Sequence, residues 1–114
     1  MFDKRRYLRF GVFLNAICRT AGMLKSLKVN NFSREGVGIL SGNLFKKGED
    51  VKVELLVPGD NIPVFFSGEV SWMKKSNSES AKYRGGLRFK KIDDSDRGKI
   101  LEYIYRKYYM PVKA

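Results

Sequence analysis

Two short segments carry side chains with chemistry to offer. The first is Asp3-Lys4-Arg5-Arg6-Tyr7-Leu8-Arg9-Phe10, in which Arg5 and Arg9 stand four positions apart and Arg6 lies beside the first. Guanidinium groups pair bidentately with phosphate oxygens and also donate to the O6 and N7 edge of guanine. Their planes stack on nucleobases. The second segment runs Asn30-Asn31-Phe32-Ser33-Arg34-Glu35-Gly36-Val37-Gly38-Ile39. Asn31 and Ser33 offer hydrogen bonds to a turn or to the polar edge of a base. Gly36 permits a positive φ or a close approach of backbone. Taken singly, each segment also fits a plainer role: a solvated basic tail and an ordinary turn.

Composition narrows the chemistry. The 114 residues hold 23 Lys and Arg against 12 Asp and Glu, a formal charge of +11. A field of that sign draws anions: nucleic acid, an acidic membrane surface, an acidic protein or a phosphorylated small molecule. There is no histidine, which removes Ser-His and Cys-His mechanisms and most zinc sites. The single cysteine, Cys18, sits in a strand-like stretch and reads as a small buried hydrophobe. Without paired carboxylates in a pocket context, a metal-ligand cluster or a phosphate-loop glycine pattern, an enzyme is not expected. Neither is a metal or cofactor.

The elements that must position these residues are short strands. Val51, Val53, Leu55 and Val57 alternate with Lys52 and Glu54, the period of a half-buried strand. Pro58-Gly59-Asp60-Asn61 then turns the chain. Further strands are predicted over Arg9 to Arg19, Lys25 to Asn30, Gly36 to Ser41, Ile62 to Lys74 and Lys82 to Ile92, with a bulge or bend at Gly68. Six strands with turns between them suggest an antiparallel barrel or sandwich. After Ile92 the period changes. Asp93-Asp94-Ser95-Asp96 offers N-caps at the positive end of a helix dipole. Ile100, Leu101, Ile104, Tyr105 and Tyr108 then recur at helical spacing, predicting an amphipathic helix with this stripe against the barrel. Trp72 shares strand parity with Val70, which favours a place in the core.

Arg5-x-x-x-Arg9 followed by Asn31-x-Ser33-x-x-Gly36 resembles the paired signature of PilZ domains, Arg-x-x-x-Arg and Asp/Asn-x-Ser-x-x-Gly. Gly68-Glu69-Val70-Ser71-Trp72 and Gly85-Gly86-Leu87-Arg88-Phe89 look like that family's fifth and sixth strands, and the acidic cap with its closing helix also fits. The likeness runs from about Lys4 to Tyr108. It implies a mainly β fold: a six-stranded antiparallel barrel (residues 10–92) with a flexible basic N-terminal arm (1–9) and one C-terminal amphipathic helix (93–110).

The resemblance also implies a ligand, the bacterial second messenger cyclic di-GMP. Carried onto this chain, Arg5 and Arg9 clamp phosphates and guanine, Asn31 and Ser33 hydrogen-bond a guanine edge, and Gly36 allows the close approach. Arg6 and Trp72 are secondary candidates. Lys4 stands where many members carry a further arginine that helps hold a second, stacked ligand; lysine is a point charge without the planar fork. Asn31 replaces the commoner Asp and offers one acceptor oxygen plus donors where a carboxylate accepts twice. The expected protein is a cytoplasmic regulator of motility or biofilm formation, with no membrane insertion and no specific nucleic acid. It would signal by ordering of the arm and by altered partner or self-association, as monomer or homodimer. Two alternatives stand beside this: a PilZ-like adaptor of pilus assembly that does not bind nucleotide, and a small barrel binding nucleic acid nonspecifically.

Overall fold

The computed structural model describes residues 9–59, 63–77 and 81–109. Six strands, β1 (Arg9–Thr20), β2 (Met23–Ser33), β3 (Gly36–Ser41), β4 (Asp50–Leu56), β5 (Val64–Lys75) and β6 (Tyr83–Ile92), close into an antiparallel barrel. Their order around it is β1-β2-β3-β6-β5-β4. Closure leaves no unpaired sheet edge. After β6 comes a helix, α1 (Asp94–Ile104), which continues as one π-helical turn over Tyr105–Tyr109.

Period two does the sorting. Val12, Leu14, Ala16 and Cys18 of β1 point inward, as do Val51, Val53 and Leu55 of β4, and all are buried. Val29, Val37, Ile39, Val64, Phe66, Val70 and Leu87 belong to the same core. These are chiefly β-branched residues, whose stiff side chains suit a pleated surface. Cys18 is fully buried and behaves as the small hydrophobe its position predicts. Phe89 packs edge-on to Phe66 with centroids 4.9 Å apart and lies 5.8 Å from Phe32.

The helix meets the barrel on a narrower stripe than its sequence spacing suggests. Ile100 and Ile104 are buried, and Tyr103 packs against the core in part. Leu101 and Tyr105, placed by the sequence on the packed stripe, face solvent instead. A single helix resting on one wall buries little more than one i, i+4 row, and residues a further 100° round fall outside it. Asp93 sits at the N-cap position with extended φ/ψ but makes no side-chain cap hydrogen bond; its carbonyl accepts from the Arg97 N–H at 2.9 Å.

Parity is broken at a few points. Register shifts interrupt the pairing between Val29 and Asn31, between Ser67 and Gly68, and between Val70 and Trp72. The shift at Gly68 falls where the sequence predicts a bulge or bend, but the extra residue is Lys90 of the facing strand β6. β2 extends beyond its predicted end at Asn30 to Ser33, so Asn31 and Ser33 belong to a strand, and only Arg34 and Glu35 separate it from β3.

Candidate functional site

The site residues converge because of register. β1 pairs with β2 so that Arg9 stands opposite Ser33 and Gly11 opposite Asn31. The second arginine of the first motif and the serine of the second therefore share one position of the ladder. Arg5, with Lys4 and Arg6, lies outside the described residues, as does the rest of the N-terminal arm before Arg9.

Asn31 and Ser33 each have a structural task. The Asn31 Oδ1 accepts from the Gly38 N–H at 3.0 Å, and its Nδ2 donates to the Asn30 Oδ1 at 3.2 Å. The amide thus bridges the gap left in the β2–β3 ladder by the bulge, satisfying a backbone donor that would otherwise be orphaned. The Ser33 Oγ donates to the Gly36 carbonyl at 3.3 Å and closes the two-residue turn. That turn is held from two further sides. The Phe89 N–H donates to the Glu35 carbonyl at 2.8 Å, and the Arg97 Nη1 of α1 donates to the Arg34 carbonyl at 2.9 Å. Arg97 also lies over the Phe89 ring, 5.2 Å from its centroid.

Glycines floor the site. On the outer face Gly36 pairs with Arg88, and Gly38 with Gly86. A Cβ on Gly36 would run into the Leu87 carbonyl, so here the glycine admits close packing of β3 on β6. A Cβ on Gly38 would meet the Asn30 and Asn31 side chains, and one on Gly86 the Trp72 indole. Bare backbone is thus walled by two asparagines on β2 and a tryptophan on β5. Those outer strands are three ladder spacings apart, roughly 14 Å.

Trp72 is not in the core. The register shift after Val70 sets Trp72 opposite Gly86 while Val70 faces Leu87. Two residues of β5 therefore advance against one of β6, and the extra residue turns the indole outward. It is 39% exposed. Arg84 and Lys74 lie over its ring at 5.6 and 5.8 Å, and the neighbouring Ser71 Oγ donates to the Gly86 carbonyl at 3.0 Å. Strand parity misplaced this residue because no residue type in Val70-Ser71-Trp72 announces the bulge.

Asn31, Ser33, Gly36, Gly38, Trp72, Gly86 and Arg88 line a cleft of about 200 Å³. Next to it a wider basic cleft of about 570 Å³ is lined by Arg34, Glu35, Arg88, Lys90, Lys91 and Arg97, among others. Sequence reading did not single out Arg88, Gly38 or Gly86 as site residues; alternation along β6, which puts Arg84, Gly86, Arg88 and Lys90 on one face, was the available signal. A third cleft of about 380 Å³ is lined by Ile17, Leu24, Phe65 and Ile92 among others and shares no residue with the second motif. Among the described residues no cluster of His, Cys, Asp or Glu is placed to hold a metal, and no helix is long and apolar enough to cross a membrane.

The comparisons with known proteins agree with this fold. The family profile described as PilZ domain matches residues 3–106. None of the curated proteins matches the sequence. Among solved structures, the fold is similar to the inhibitor of motility MotI/DgrA of Bacillus subtilis, with 20% identity and a TM-score of 0.73 over 93% of this chain. The chain spans 51% of that protein's length. It is also similar to the PilZ domain of YcgR from Escherichia coli, solved with c-di-GMP, with 16% identity, a TM-score of 0.72, and 92% and 94% of the two chains covered. A third similar structure is PlzA of Borreliella burgdorferi in complex with c-di-GMP, with 16% identity and a TM-score of 0.65 over 90% of this chain and 41% of that one.

Proposed function

The chain belongs to the PilZ domain family, and we propose on that premise that it is a receptor for cyclic di-GMP that acts by binding rather than by catalysis. The observation that carries this reading is the β1–β2 register, which sets Arg9 opposite Ser33 beside a cleft lined by Asn31, Ser33, Gly36 and Trp72. Arg5 from the arm and Arg9 from the start of β1 grip the phosphates and a guanine, with Lys4 and Arg6 adding charge. Asn31 and Ser33 present the polar edge, and Trp72 offers a flat apolar face to a base. Two of the similar structures hold c-di-GMP, which supports the choice of ligand.

In this reading the residues before β1 form the arm, β1 to β6 the barrel, and the helix after Ile92 closes it. The arm orders over the ligand in the cytoplasm, and the changed surface alters association with a protein target or a second copy. The turn carrying the second motif is bonded to α1 through Arg97, which gives the site a route to the helix.

Calorimetric titration tests the reading. Cyclic di-GMP should bind with measurable heat, and cyclic di-AMP far more weakly, because adenine presents a donor at N6 where guanine presents the O6 acceptor. Equal binding of both removes the guanine-reading role. No binding of either leaves the adaptor that ignores nucleotide.

A further inference from the structure

Glu69 and Arg88 face each other across β5 and β6 and form an ion pair on the outer wall of the barrel. The two side chains are 31% and 57% exposed, a setting in which an ion pair is weak and readily exchanged. On its other flank Arg88 is in register with Gly36 of β3, which presents no side chain. Two residues back along β6 lies Gly86, against which the Trp72 indole rests. Arg88 lines both the polar cleft and the basic one beside it, whereas Glu69 lines neither. The carboxylate therefore holds the guanidinium from outside the space a ligand would fill.

We propose that Arg88 is a further ligand-binding arginine and that Glu69 is the residue that positions it, an internal competitor for the ligand's anionic or carbonyl oxygens. The inference rests on the reading of the chain as a cyclic di-GMP receptor. When ligand lies over Gly36 and Gly38, the guanidinium turns from Glu69 to a phosphate or guanine oxygen. Its planar fork suits either acceptor. The carboxylate it leaves is partly exposed and is rehydrated, so the exchange is cheap, and Glu69 sets how cheap.

The test is titration of the full chain with cyclic di-GMP at fixed salt, comparing wild type, Glu69→Gln, Arg88→Ala and the double variant. Glu69→Gln should tighten binding about two- to fivefold, the equivalent of losing a competing exposed ion pair. Tightening is an outcome that mere structural damage does not produce. Arg88→Ala should weaken binding tenfold or more, as expected for a lost charge-assisted contact. The double variant should match Arg88→Ala, since Glu69 acts only through Arg88. An Arg88→Ala variant that binds like wild type overturns the proposal. So does tightening by Glu69→Gln that persists without Arg88, which would mark a diffuse field. Should Arg88→Ala fail to fold, Glu69→Gln still decides: no tightening overturns it. A wild type that binds while these variants fail to respond leaves the receptor reading standing; a wild type that does not bind removes both.

Discussion

Cys18 and Trp72 show how far a single residue's setting departs from its type. Burial in the barrel pushes the Cys18 thiol up to about 11, the nearby Glu49 carboxylate adds to the shift, and Lys25 offsets part of it. The folded protein therefore keeps a proton that the unfolded chain releases above about pH 9, so stability falls as pH rises through the window from about 9 to about 11. At pH 10 this contributes a loss of about 1 kcal/mol. Urea melts at pH 8 and pH 10 should show a smaller drop for Cys18→Ala than for wild type, whatever that variant's lower baseline. The same burial predicts that the thiol reacts slowly with a disulfide reagent at pH 8 until denaturant is added. Trp72 makes the opposite case: its indole is turned out of the core by a bulge. Trp72→Ala should cost less stability than the roughly 3–5 kcal/mol of a buried tryptophan truncation. It should still weaken cyclic di-GMP by about 1–3 kcal/mol if a base stacks there. Chemical melts and calorimetry on one preparation read both quantities.

Turns and bulges carry most of what the elements' own periodicity leaves out. The β1–β2 hairpin closes at Thr20 and Met23 through Ala21 and Gly22, whose φ values are 50° and 76°. Both central residues are left-handed, the arrangement of a type I′ turn, and alanine is poorly suited to it. Ala21→Asn should raise stability by about 0.5–1 kcal/mol, read as a higher urea midpoint with an unchanged slope. Gly36→Ala should do the reverse, because its Cβ would collide with the Leu87 carbonyl, which belongs to backbone and cannot swing aside. Turn residues between short apolar runs located all six strands, with alternation plainest in β4, where Val51, Val53 and Leu55 share one buried face. The helix after Ile92 was legible from the change to helical spacing, and the choice of a barrel over a sandwich came from the likeness to PilZ domains. The bulges at Asn31 and before Trp72 were not: the first depends on an amide replacing a ladder bond, and the second on an indole finding a glycine opposite. Neither leaves a period in the sequence. Leu101 and Tyr105 face solvent for a related reason, because how wide a stripe a helix buries is set by the surface it meets.

The whole molecule carries a charge of +11, and the decisive question at this scale is whether that charge acts as a field or through particular guanidinium groups. A field attracts any polyanion, depends steeply on salt and responds alike to the loss of any surface cation. A clamp depends on fork geometry at two or three positions and much less on the rest. Lys46 and Lys47 lie exposed in the loop between β3 and β4, do not line the motif cleft, and serve as controls of equal formal charge. Arg5→Ala and Arg9→Ala should each weaken cyclic di-GMP by about 2 kcal/mol or more, the cost of a charge-assisted contact. Their stability should change by about 0.5 kcal/mol or less, as for most substitutions outside a core. Lys46→Ala and Lys47→Ala should scarcely alter either quantity. Lysine at position 5 or 9 should restore little, because a point charge neither bonds bidentately nor stacks. Raising the salt from 0.05 to 0.5 M separates the two cases further: clamp contacts inside a cleft are screened less than charges spread over the surface. If all four alanine variants weaken binding equally and the loss tracks ionic strength, the protein holds its ligand by overall charge, and the motif arginines have no special standing among its 23 cations.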